Sequence, residues 1–191
     1  MNRQSVPALR RVGLAAGVVV AAAIGGGVAM GATVSGTQSA PQIATCATSQ
    51  LSVWYGLPAG AAAGSTYIPL EFSNIGTTEC ALDGYPGVSG VTASGTQLGT
   101  PATRNAVIPP RNVTLAPGAT AHVVLQIVDV YNYPPTTCQP TEAYGLRVYP
   151  PNQTASVVVP YAFEACAKSG PTYLSVDVVN AGVGIPLYTS S

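Results

Sequence analysis

CQPTEAYGLRVYPPNQTASVVVPYAFEAC, residues 138–166, places two apolar-rich runs around a proline corner and a cysteine at each end. Gly145 to Tyr149 and Ala155 to Val159 flank Pro150-Pro151-Asn152-Gln153, and a proline pair followed by Asn marks a turn between extended segments. In an antiparallel pair folded about that corner, the residue numbers of opposed positions add to about 304, and Cys138 with Cys166 satisfies the same sum. The stretch therefore predicts a β-ribbon closed by a disulfide.

The same alternation recurs on either side. Ile68, Leu70 and Phe72 point one way from a strand whose other face carries Tyr67, Glu71 and Ser73. Val123, Leu125 and Ile127 alternate with His122, Val124 and Gln126, and Leu174, Val176 and Val178 with Ser175, Asp177 and Val179. Asp83-Gly84, Ser94-Gly95 and Ala116-Pro117-Gly118 separate the runs as turns. No helical apolar stripe follows Val34. Eight or nine short strands at this spacing predict an all-β fold, an antiparallel immunoglobulin-like sandwich, with a barrel as the alternative because strand order is not readable. Pairing Leu51 to Tyr55 with Tyr67 to Asn74 brings Cys46 toward Cys80. Of the three connectivities open to four cysteines, ribbon geometry favours Cys46 with Cys80 and Cys138 with Cys166.

The compartment is read from the other end of the chain. Arg3, Arg10 and Arg11 precede the uncharged run Val12 to Val34, rich in Ala, Gly and Val, which has the form of an export segment. Residues 1–34 are expected to be a cleaved signal peptide or, at this length, an uncleaved membrane anchor. Residues 35–45 read as a flexible spacer and 46–191 as the exported domain, one domain's worth of chain. The flanks of Arg10-Arg11 match a twin-arginine signal poorly, and Cys46 follows the apolar run at the wrong distance for lipidation. Paired cysteines agree with an oxidising compartment outside the cytoplasm.

Chemistry-bearing residues are few. Charged residues make up 7% of the chain, and those after Val34 are four cations, Arg104, Arg111, Arg147 and Lys168, dispersed among seven acids. That spacing forms no phosphate-binding stripe, which argues against nucleic acid. One histidine, methionines only at positions 1 and 30, and cysteines committed to bridges leave no set for a metal centre, and no cofactor motif is present. His122 is expected on the outward face of its strand as a surface residue. Glu71, Glu79 and Asp83 are the carboxylates that could meet in space, but no nucleophile motif accompanies them, so no catalytic residue is assigned.

A resemblance extends over most of the remaining chain. Cys46 with Leu51, Phe72-Ser73-Asn74-Ile75-Gly76, Cys80-Ala81-Leu82-Asp83-Gly84-Tyr85-Pro86-Gly87-Val88, Leu115-Ala116-Pro117-Gly118 and Leu146-Arg147-Val148-Tyr149-Pro150-Pro151 resemble an actinobacterial family of exported proteins and lipoproteins, the domain of unknown function numbered 4232. The resemblance implies a secreted or cell-envelope β-rich domain with paired cysteines. It carries no catalytic residues.

Aromatic residues are the remaining signal. Tyr131-Asn132-Tyr133-Pro134-Pro135 sets two rings in a proline-stiffened segment, and rigid exposed tyrosines are good contact anchors, although such rings also cap sandwich ends. Trp54 and Tyr55 must face opposite sides of their strand, with one expected in the core. Tyr131, Tyr133 and Trp54 are thus the candidate binding residues. The function expected is a non-catalytic binding or interaction module of the envelope or the extracellular space, its partner a protein, glycan or wall component. It would meet a membrane only through an uncleaved N-terminal segment. The alternative is an extracytoplasmic hydrolase without a recognised motif.

Overall fold

In the computed structural model, which describes residues 42–57 and 60–184, the alternating runs become strands and their apolar faces meet in one core. The export segment, most of the spacer and the last seven residues lie outside the described residues. The larger sheet contains β1 (Leu51–Tyr55), β2 (Gly60–Ala62), β3 (Ser65–Asn74), β7 (Thr103–Arg104), β9 (Thr120–Val128), β12 (Leu174–Val176) and β13 (Asn180–Ala181). Its order is β1-β3-β9-β12-β7, with β2 added beside β3 and β13 beside β9. The second sheet has the order β11-β10-β5-β6, formed by β11 (Val157–Cys166), β10 (Pro140–Tyr149), β5 (Gly87–Val91) and β6 (Gln97–Leu98). A two-stranded ribbon joins β4 (Cys80–Asp83) to β8 (Asn112–Leu115). Among the described residues each sheet ends in unpaired edge strands, which makes the architecture a sandwich and not a closed barrel. Among the described residues, the strands pair antiparallel except β7 with β12, and the isolated bridge of Thr45 to Ala81 is also parallel.

The core forms where period-two alternation predicts it. Ile68, Leu70 and Phe72 from β3 and Val123, Leu125 and Ile127 from β9 face Val88, Leu146, Val148 and Val159 of the other sheet. Burying each such side chain stabilises by roughly 1.5–3 kcal/mol relative to leaving it in water. The alternation breaks after Val176, where β12 ends and both Val178 and Val179 are buried.

Both disulfides are formed, Cys46 with Cys80 and Cys138 with Cys166, and no free cysteine remains among the described residues. Such bridges suit an extracytoplasmic environment. The ribbon register differs by one or two residues from the sum of 304. Pro140 opposes Cys166, and a bulge between Ala143 and Gly145 then shifts the pairing so that Leu146 opposes Val159. Cys138 closes the bridge from the short helix α1 (Pro135–Cys138), which Gln139 ends in the left-handed conformation. The end of the expected spacer is paired: Cys46 N–H donates to the Ala81 carbonyl and Ala81 N–H to that of Ala44. Among the described residues no helix is long and apolar enough to cross a membrane.

Several motif residues have plain structural work. Asn74 is buried, its amide donating to the carbonyls of Thr78 and Leu115 at 2.9 Å while its side-chain oxygen accepts from Gly76 N–H at 2.9 Å. That satisfies a buried polar group from both ends and fixes the exit from β3. The Gly84 carbonyl accepts from Val179 N–H, tying the Asp83-Gly84 turn to the C-terminal part of the chain.

Candidate functional site

An open groove of about 550 Å³ lies between β11, the β2–β3 hairpin and the end of β9. Local sequence builds each wall. The hairpin turns through Ala63 and Gly64, both at positive φ, the geometry a two-residue hairpin turn requires. After β9, Asp129 accepts a hydrogen bond from Tyr131 N–H at 3.0 Å and so starts a short 3-10 turn, Val130–Asn132. Val130 fills the core, and the next residue, Tyr131, is thereby turned out to 68% exposure at the rim. Tyr161 and Phe163 sit two apart on β11 and share its inner face. Because β11 is an edge strand, their rings are only partly covered.

These rings belong to a continuous row. Tyr55 meets Tyr161 edge-on at 5.1 Å, Tyr161 lies 5.8 Å from Phe163, and Phe163 stacks on buried Tyr173 at 6.5 Å. Burial raises the Tyr161 hydroxyl above its ordinary pKa, with Tyr55 adding to the effect. Asp129 and Glu164 are the ionisable carboxylates of the lining, which contains no cation.

Of the residues singled out from sequence, Tyr131 lines this groove. Tyr133 is half-buried against the core, and its hydroxyl donates to the Thr172 carbonyl at 2.8 Å, so it braces the segment that presents Tyr131. Trp54 lies on the outer face of β1, 41% exposed, with its indole N–H donating to Ser73 Oγ at 3.2 Å. Tyr55 is equally exposed. The expectation that one of this pair is core is therefore corrected: β1 is an edge strand, and both rings reach its margin. Tyr161 and Phe163 were not distinguished by sequence from ordinary strand aromatics; their spacing of two beside a cysteine was the available signal.

The expectation for His122 is also overturned. His122 and Glu71 do point outward from the larger sheet, directly opposed across β9 and β3, yet each is only 1% exposed. The segment 180–184 covers them. Glu71 Oε1 accepts from Gly184 N–H at 2.7 Å, and His122 Nδ1 lies 2.8 Å from the Gly182 carbonyl. A carbonyl only accepts, so Nδ1 carries the hydrogen. Gly182 and Gly184 adopt positive φ, which lets the strap turn tightly over the sheet. Among the described residues, Glu71 Oε2 and His122 Nε2 have no hydrogen-bond partner.

Burial holds the Glu71 carboxyl above its ordinary pKa, offset in part by Gly184 N–H and then by His122. Ionising this group in the folded state is thus costly. Its contribution to stability is full below the unfolded pKa and is lost as pH rises through the raised folded value. Glu71→Gln keeps an acceptor for Gly184 N–H and removes the charge. Urea titrations should show the variant more stable than the wild type at neutral pH and no more stable at pH 4. Equal stability of the two proteins at both pH values would mean that the charged carboxylate is not desolvated.

A second, polar depression of about 400 Å³ is lined by Asp83, Tyr85, Arg104, Tyr149, Asn152 and Gln153 among others. Arg104 lies over the Tyr85 ring at 5.6 Å, and the Asn152 amide donates to the Asp83 carbonyl at 3.1 Å. Among the described residues, no group of three or more His, Cys, Asp or Glu is placed to hold a metal ion.

Fold and site together define a disulfide-stapled antiparallel β-sandwich with an aromatic groove at one margin. The chain belongs to the family described as domain of unknown function (DUF4232), whose sequence model matches residues 46–183. That span begins at the first cysteine, contains both bridges and ends within the glycine-rich strap. No curated protein matches the chain.

Proposed function

We propose that the protein is exported and acts outside the cytoplasm as a non-catalytic binding module, taking a partner into the groove walled by Tyr131, Tyr161 and Phe163. One observation carries this reading: a tyrosine held 68% exposed by a capped turn at the mouth of a ring-lined groove. Aromatic rings on rigid supports give large contact area at small entropic cost. A hydrolytic reading would rest on Glu79, Asp83 or His122 converging on the groove, and none of the three lines it.

Export is tested by fusing a reporter that is active only outside the cytoplasm after Val34. Activity is expected, and an inactive reporter would remove the envelope from the proposal. Binding is tested by capture from envelope extracts with wild-type protein and Tyr131→Ala in parallel. The variant should lose at least about 2 kcal/mol of affinity, as hot-spot tyrosines do. Its melting temperature should be unchanged, because the ring covers little of the core. Undiminished capture by Tyr131→Ala would sink the groove as the binding site.

A further inference from the structure

We propose that the groove receives a lysine or arginine side chain of an extended polypeptide segment laid along β11, an inference that rests on the groove being the binding site. Charge is the first ground. Asp129 and Glu164 belong to the lining, and both are exposed. No cation of the described chain pairs with them, because each has a contact elsewhere. Arg104 covers Tyr85, Arg111 donates to Asn180 Oδ1 at 3.0 Å, Arg147 donates to the Gly95 carbonyl, and Lys168 Nζ donates to the Thr136 carbonyl at 3.1 Å. The acidic margin is therefore left for a cation from outside.

The rings supply the second ground. The faces of Tyr131, Tyr161 and Phe163 attract a positive charge through their quadrupoles and at the same time pack the apolar stem of a long basic side chain. A groove with aromatic walls and carboxylates at its margin suits both parts of such a residue. The third ground is the strand itself. Among the described residues, β11 is the outermost strand of its sheet and has no strand partner on its free side. An extended segment can add there through main-chain hydrogen bonds, sending every second side chain inward beside Tyr161 and Phe163. Pro160 offers no N–H, which confines such addition to the half of β11 from Tyr161 onward, the half that lines the groove.

The test is an NMR titration of the ¹⁵N-labelled full-length chain in non-ionic detergent with the peptide Gly-Gly-Lys-Gly-Gly, its arginine counterpart and its norleucine counterpart. The two basic peptides should shift the amide signals of residues 129–131 and 161–164 saturably and bind about tenfold more tightly than the norleucine peptide, a preference that added salt diminishes. Asp129→Asn combined with Glu164→Gln should abolish that preference while leaving signals elsewhere in place, since the side-chain amide introduced in place of Asp129 still offers an oxygen to Tyr131 N–H. Equal binding of the lysine and norleucine peptides, or no shift at these residues, would overturn the inference. If capture of an envelope partner still depends on Tyr131 in that case, the groove stands as a binding site and only its preference for a cation falls. If capture is also indifferent to Tyr131, both fall together.

Discussion

Alanine at both Cys138 and Cys166 is expected to lower the unfolding free energy by about 3 to 4 kcal/mol, a large share of the roughly 5–15 kcal/mol typical of a domain. The bridged residues are 28 apart in sequence, and closing a loop of that size removes much of the freedom of the unfolded chain. The folded state should change little. Lys168 N–H donates to the Cys138 carbonyl and Ala167 N–H to that of Gln139, both at 3.1 Å, so α1 and the end of β11 remain joined without the sulfurs. The loss should therefore come with an expanded unfolded state, seen in urea titration as a steeper dependence on denaturant together with a lower midpoint. A loss under about 1 kcal/mol with an unchanged slope would mean that this segment is already compact when unfolded.

That bridge also marks how far the fold could be read in the residues. Cysteine positions and the proline corner placed β10 and β11 together because a hairpin is local and its register follows from the turn. The bulge at Ala143/Gly145 was not legible, since one inserted residue leaves the alternation on each side intact and only shifts its phase. Short segments escaped for a different reason. β2, β7 and β13 have two or three residues each, too few for a period, and exist because longer strands offer them an edge. The parallel contact of Ser175 with Thr103 joins residues far apart in the chain, a pairing that nothing local specifies.

The same division holds for the candidate site. Tyr131 could be singled out because proline stiffening and tyrosine chemistry are both visible locally. Its separation from Tyr133 into one presented ring and one bracing ring depends on Val130 entering the core and on the Thr172 carbonyl accepting from Tyr133, neither of which spacing encodes. Glu71 and His122 show the limit more sharply. Period two turns both away from the core, and for His122 an outward position reads as an exposed one. The strap formed by residues 180–184 reaches Glu71 across more than a hundred residues, so its cover is a tertiary fact. Gly182-Val183-Gly184 was the available hint, two glycines spaced to carry a tight backbone over a sheet.

Tyr173→Ala is expected to destabilise the protein by about 3 to 5 kcal/mol, the range for removing a large buried ring. Tyr173 is wholly buried, stacks on Phe163, and donates its hydroxyl hydrogen to the Leu98 carbonyl at 2.8 Å. Gly90 makes room for it, since a Cβ there would come within 2.8 Å of the Tyr173 hydroxyl. Phe163, which walls the groove, rests on this ring, so a Tyr173→Ala protein that still folds should also bind more weakly. Tyr173→Phe separates the hydrogen bond from the packing. It keeps the stack and leaves the Leu98 carbonyl unpaired, at a cost of about 1 to 3 kcal/mol. The pH dependence identifies the group. Burial pushes the Tyr173 hydroxyl up to about 12, so the folded protein holds this proton after the unfolded chain, titrating near 10, has begun to release it. Its folded pKa is the raised one, and its contribution is therefore full below about pH 10 and falls as pH rises toward 12. The other tyrosines are common to wild type and Tyr173→Phe, and the difference between the two stabilities isolates this hydroxyl. That difference should be constant up to about pH 9 and shrink steadily above about pH 10. A difference that stays constant throughout would show that the Tyr173 hydroxyl is not the buried donor to Leu98, and the link from the core to the floor of the groove would then rest on the ring alone.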